Sequence, residues 1–290
     1  MKRVEEYSDA REISYDSIED LMKENLDGAT YANKRRWQRE ADNLQTSWWG
    51  WQGGFAELLN KVKVGWPEGA EIIRNELAEA TPQFAQIRSA RRRRQFSNAG
   101  DFLDIQRVYS GNLDRAWQTT EREAHNQHGS NNAVILVNLV ASGYVPAEQA
   151  RWRGFAAAAL VDMLISSGRN VQLWAVTPVH DLIPRFGRRV VISYLIKDFD
   201  DMMDLEYVAV MTSTAAFRGF VFRSLASQPE DIHYHFGYPL ANHVPRIVRD
   251  AGHILHIPGD TFSKEDALRV ISNCATQLDE EAGHTHTPQI

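Results

Sequence analysis

Five arginines within seven residues, Arg88, Arg91, Arg92, Arg93 and Arg94, form the densest charge cluster in this chain of 290 residues. Guanidiniums grouped this way grip phosphates, and binding of that kind falls steeply as salt rises. With Arg35, Arg36 and Trp37 as a second contact, the cluster supports one reading of the chain as a nucleic-acid-binding protein. A basic track beside an aromatic ring is what single strands require. A solvated or internally paired face and an acidic protein partner are the other readings of the same arginines.

Carboxylates and histidines offer metal chemistry. Asp198, Asp200, Asp201 and Asp204 are spaced to gather a divalent cation, but they lack the glycine and distal glutamate of a calcium loop. A solvated linker is expected, with a metal-assisted hydrolase built on Asp198, Asp200, Asp201 or the histidines as a third function. His233 and His235 share one face of an expected strand, and His243 follows, which is the basis for a zinc site. His253 and His256 point to opposite faces, no HExxH pattern occurs, and ordinary hydrogen-bonded histidines are expected.

Nucleophiles are weaker still. Ser142-Gly143 has no preceding glycine to make a nucleophile elbow, and Cys274 lies in an amphipathic helix, where a small core residue is expected. Neither GxxxxGK[ST] nor GxGxxG occurs, so ATP binding by a known loop is not expected. No catalytic residue is assigned. Trp48, Trp49 and Trp51 fall within four residues beside glycines. Each ring carries roughly 150–250 Å² to bury, so this loop either packs back on the body or faces a partner.

These residues need a scaffold. Hydrophobic residues make up 43% and charged ones 24%, with net charge −6, which excludes a disordered or fibrous chain and a histone-like one. One cysteine leaves no disulfide framework, so a reducing compartment is expected. No apolar run approaches the roughly 18–20 residues of a membrane helix, and no apolar stretch follows the basic start, so no membrane contact or secretion is expected.

Short helices are expected over 17–22, 55–62 and 67–79, the last opened by Pro67 and Glu68. Residues 132–142 (NAVILVNLVAS) read as a strand buried on both faces. A long alanine-rich helix runs from Pro146 to Gly168, followed by strands over 170–177 and 189–196. A helix or strand over 205–210, a helix over 215–226, a strand over 253–257 and a capped helix to about residue 280 complete the pattern.

The succession implies parallel pairing, giving a three-layer α/β fold with a mostly parallel sheet over 100–281. A helical, aromatic-rich extension over 1–99 precedes it, and a tail over 282–290 frays. Ligands of such sheets bind beyond the carboxyl ends of the strands, which singles out the loops 142–145, 177–181 and 258–261. Ser142, Tyr144 and Asp260 are the expected centre of a recognition surface, with Trp48, Trp49 and Trp51 as a second one.

The arrangement of strand, loop, alanine-rich helix and strand resembles a von Willebrand factor A-type domain. That resemblance implies a metal-dependent adhesion site of the form Asp-x-Ser-x-Ser, followed by a later acid. Here the stretch reads Asn138-Leu139-Val140-Ala141-Ser142, with Asp260 where the later acid falls. An amide replaces the leading carboxylate and a valine replaces a serine, so a metal-free variant is expected, with Mg²⁺ on Asn138, Ser142 and Asp260 as the alternative.

Several segments are similar to an uncharacterised family of tailed-bacteriophage proteins. They are Trp66-Pro67-Glu68-Gly69, Asp101–Ile105 with Val108–Gly111, Arg153-Gly154, Val208–Met211 leading to Phe217–Arg223, and Phe236–Pro239. Gly219 stands where that family has one of two paired arginines. The likeness implies a phage setting, in the host cytoplasm during infection or in the virion, and no activity. A non-catalytic protein acting through protein contacts or self-association is expected, by analogy as an adaptor to an AAA-type ATPase.

Overall fold

An unbroken apolar run is stable as a strand only when both its faces are covered, and residues 132–138 meet that condition inside a seven-stranded sheet. The computed structural model describes residues 1–7, 10–24, 26–27, 29–42, 49–84, 93–97, 102–103, 117–121, 131–141, 145–181, 189–228, 234–235 and 243–284. The strands are β1 (Lys2–Glu6), β2 (Ala10–Tyr15), β3 (Arg93–Ser97), β4 (Phe102–Leu103), β5 (Trp117–Glu121), β6 (Asn132–Asn138), β7 (Asn170–Asp181), β8 (Arg189–Lys197), β9 (Tyr234–His235) and β10 (His253–Ile257). The helices are α1 (Ile18–Met22), α2 (Tyr31–Ala41), α3 (Gly54–Val64), α4 (Pro67–Phe84), α5 (Ala147–Ser166), α6 (Leu205–Met211), α7 (residues 214–226) and α8 (Lys264–His284).

The main sheet has the order β1-β2-β8-β7-β6-β10, with β9 against the end of β7, and β3, β5 and β4 form a second, antiparallel sheet. The fold is α/β, as the succession of elements implies. The pairing corrects the expectation of a mostly parallel sheet. β6 is parallel to β7 and β10, and β2 to β8, but β7–β8 and β1–β2 are antiparallel. Chain length explains the β7–β8 pair. β7 runs on to Asp181, through the expected loop 177–181, which leaves residues 182–188 before β8. Parallel neighbours need a crossover of about a dozen residues or more, so this connection is too short for one.

A second correction concerns the first residues. Where a helical extension is expected, β1 and β2 form an edge of the main sheet. β2 buries Ile13 and Tyr15 on one face but Glu12 and Ser14 on the other, so its apolar pattern is masked. Ser14 Oγ meets Ser193 Oγ of β8 at 2.8 Å, which satisfies both buried hydroxyls.

Alternate strand residues separate into two cores. Ile13, Ile135, Leu173, Ile192 and Leu255 face the larger one, which draws side chains from all eight described helices. Val134, Leu136, Trp174, Val176 and Val191 face a smaller core under Val248, in a segment with one 3₁₀ turn, Arg246–Val248. Among the described residues, the helices therefore share one face of the sheet. α5 lies at the middle of the helical layer, and its small Ala156–Ala159 run, fully buried, lets it sit close to the strands. Where α5 meets α6, a Cβ on Gly154 would stand 2.3 Å from Thr212 Oγ1. No described helix is long and apolar enough to cross a membrane.

Candidate functional site

β6 ends at Asn138 because the Asn138 side chain accepts the Val140 amide at 3.0 Å, a local bond that competes with further strand. The turned main chain presents two carbonyls to Arg153, near the start of α5. Arg153 Nη1 donates to Asn138 O at 3.2 Å and Val140 O at 3.1 Å, and its Nε donates to Ala150 O at 3.3 Å. The Arg153 side chain is 0% exposed, and its Nη2 has no hydrogen-bond partner among the described residues.

A second buried arginine lies close by. α7 contains a π turn, Phe217–Val221, and such turns often occur at functional sites. Arg218 sits in that turn, 1% exposed, and donates Nη2 to Val145 O at 3.3 Å. Gly219 beside it lets α7 approach α3, since a Cβ there would stand 2.3 Å from Leu58 Cδ2. Burial, then repulsion by Arg218, brings Arg153 down to about 9, while Tyr194 acts in the opposite direction. Arg153 thus stays charged at neutral pH, and among the described residues no carboxylate acts on it. Thr177 of β7, next in register to the Val176–Asn138 pair, is also fully buried with an unpartnered Oγ1. Arginine supplies N–H donors in a planar fork and does not exchange protons readily, so this arrangement can grip an acceptor.

A cleft of about 130 Å³ lies on the other flank of α5. Trp49, Trp51, Trp66, Ile72, Trp152 and Phe155 line it. Trp51 and Trp66 meet edge to face at 5.1 Å, and Lys61 Nζ stands 5.6 and 5.4 Å from their ring centroids. Trp66 lies on Gly69, where a Cβ would stand 2.4 Å from the ring, so the first turn of α4 fixes that wall. Thr214 contributes a buried Oγ1 without a partner, and Glu76, Glu148 and Arg151 supply charge at the lining. Ile72 is 37% exposed, so the cleft has an apolar lip.

The sequence candidates distribute as follows. Trp49 and Trp51 are buried in the main core rather than exposed as a patch, and they form the inner wall of the cleft; Trp48 lies outside the described residues. Asp260 is exposed in the turn after β10, while Ser142 and Tyr144 lie outside the described residues. Asn138 is buried, with its side-chain oxygen committed to the Val140 amide. Arg88, Arg91 and Arg92 lie outside the described residues, and Arg93 and Arg94 belong to β3. Trp37, the suggested stacking ring, is buried edge-on to Phe55 at 4.8 Å.

The acidic run has structural work. Asp204 Oδ1 accepts the Glu206 and Tyr207 amides and caps α6. Burial lowers the pKa of Lys197, whose Nζ donates to Val171 O and Asp198 O, and Asp201, Asp198 and Asp200 oppose that shift. His243 pairs with Glu12 at 2.8 Å. His233 lies outside the described residues, and so does the side chain of His235. Among the described residues, no three His, Cys, Asp or Glu side chains are grouped to hold a metal ion.

Sequence reasoning noted Arg153 and Arg218 as family-like segments and missed them as site residues. The signal was a charge embedded in an apolar context, Arg153 before Gly-Phe-Ala-Ala-Ala-Ala-Leu and Arg218 between two phenylalanine positions. Arginines are almost never fully buried unless paired.

Comparison with curated proteins and with solved structures finds no match. One family model matches residues 3–283, spanning the β1–β2 edge, the cleft and both arginines, and on that match the chain belongs to the family described as a domain of unknown function, DUF7192.

Proposed function

We propose that the protein is a non-catalytic recognition protein that binds another protein through the tryptophan-lined cleft. The observation that carries this reading is the cleft itself, with aromatic walls, an apolar lip at Ile72 and an unpartnered hydroxyl at Thr214. Aromatic-walled pockets with few polar groups are where buried anchors contribute most of the affinity. The occupant we assign is an apolar side chain carried on a basic segment. Residues 67–79 of α4 hold Glu68, Glu71, Glu76 and Glu79 against Arg74. Lys264 pairs with Glu76 and Glu79 at 2.9 and 2.6 Å, which leaves Glu68, Glu71 and the lining Glu148 to meet a basic segment. The A-type-like scaffold, the phage setting in the infected host cytoplasm and an ATPase partner remain parts of the proposal that rest on the sequence resemblances.

The test titrates the full chain with short basic peptides centred on Leu, Phe or Trp and follows intrinsic tryptophan fluorescence. For the Trp-centred peptide, binding is read by anisotropy of a dye on the peptide. Saturable binding that weakens about tenfold or more in Ile72→Glu, with acidic peptides inactive, supports the reading. No binding, or binding indifferent to Ile72→Glu, rejects it.

A further inference from the structure

We propose that Arg153, with Thr177, forms a binding site for a small oxyanion of phosphate size at the carboxyl end of β6, a site separate from the cleft. A buried charge is stable when it is paired and hydrogen-bonded, and an uncompensated one costs several kcal/mol. Arg153 has three donors engaged with main-chain carbonyls, and these supply dipoles but no negative charge. Its Nη2 is buried and unpartnered, a second guanidinium stands nearby, and Thr177 Oγ1 at the same strand end is also unpartnered. An oxyanion satisfies both unpartnered groups at once. It neutralises the Arg153 guanidinium, accepts from Nη2 in the geometry a planar fork favours, and accepts from the Thr177 hydroxyl.

The surroundings define the ligand's size and sign. A Cβ on Gly259 would stand 3.0 Å from Val140 O, so the turn after β10 closes on the strand end. The Phe262 ring lies 6.0 Å from Arg153 Cζ. This enclosure selects a free oxyanion over one carried on a bulky molecule. The A-type resemblance led to this strand end as a degraded adhesion site, with a metal-free variant expected. The buried Arg153 guanidinium reverses its polarity, and an anion takes the place a cation would have.

The experiment measures thermal unfolding and calorimetric binding of the full chain with inorganic phosphate, adenosine monophosphate, or chloride at matched ionic strength. Arg153→Met and Thr177→Val are the variants. The expected result is a saturable phosphate-dependent rise in Tm, absent with chloride. Phosphate binding weakens about tenfold or more in Arg153→Met and by a smaller factor in Thr177→Val. Should Arg153→Met not fold, the direct titration and Thr177→Val still decide. A phosphate response no larger than that of chloride, or undiminished in the variants, overturns the proposal. A response to adenosine monophosphate equal to that of phosphate overturns the selection of a free ion. Because the cleft is read by peptides, failure of one site leaves the other untouched.

Discussion

Glu12 Oε1 stands 2.8 Å from His243 Nε2, and the other carboxylate oxygen accepts the Arg246 amide at 2.9 Å. This pairing ties an early strand to the segment that covers the second face of the sheet, more than two hundred residues later. Burial is the largest influence on Glu12 and acts to raise its pKa, but the bonds from His243 and Arg246 outweigh it and hold the carboxyl below its ordinary value. A depressed carboxyl contributes stability that is present above its unfolded pKa, about 4.3, and is lost as pH falls through the folded value. Glu12→Gln should therefore cost about 1–3 kcal/mol near neutral pH and flatten the acid limb of stability against pH. Urea unfolding between pH 3 and 7 checks this; parallel curves for the two proteins contradict it.

Gly154→Ala reverses a common rule. In a helix interior alanine normally stabilises by about 0.5–1 kcal/mol over glycine. Here the added methyl would meet Thr212 Oγ1, which is pinned by its own bond to Val208 O at 2.8 Å. The substitution should destabilise by about 1–3 kcal/mol, and adding Thr212→Ala should recover part of that loss. Chemical denaturation of the single and double variants decides; a stabilised Gly154→Ala contradicts the α5–α6 packing.

Cys274 is 5% exposed on α8, with Sγ 3.9 Å from His256 O, and burial pushes its thiol up to about 11. The thiolate is the reactive form, so the native chain should react with a thiol reagent at pH 8 far more slowly than the unfolded chain. One equivalent should appear on adding denaturant. Rapid labelling of the native protein would show that α8 does not cover this side of the core.

The sequence made α5, α8 and the strands β6, β8 and β10 legible because each combines a strong period with a clear end. Ser263 accepting the Asp266 amide and the positive φ of Gly168 are local signals that fix helix boundaries. β1 and β2 were not legible, since Glu12 and Ser14 occupy buried positions and their partners lie far along the chain. Strand direction at β7–β8 depends on the four further residues of strand beyond Thr177, which periodicity did not extend to. The tryptophan loop was recognised as needing burial, but only packing against α4 and α5 turns it into one wall of a cleft. Arg153 was hidden for the opposite reason, because its unmet hydrogen-bonding capacity is visible only in three dimensions.

The central claim, that the cleft beside α5 receives a basic segment with an apolar anchor, is tested most directly by photo-crosslinking. A basic peptide carrying a photoreactive phenylalanine at its central position is bound to the full chain, irradiated and mapped by mass spectrometry. The account predicts adducts on Ile72, Trp152 and residues 212–214, suppressed by excess unmodified peptide and by Ile72→Glu. Adducts scattered elsewhere, or cleft adducts that survive both controls, would contradict it.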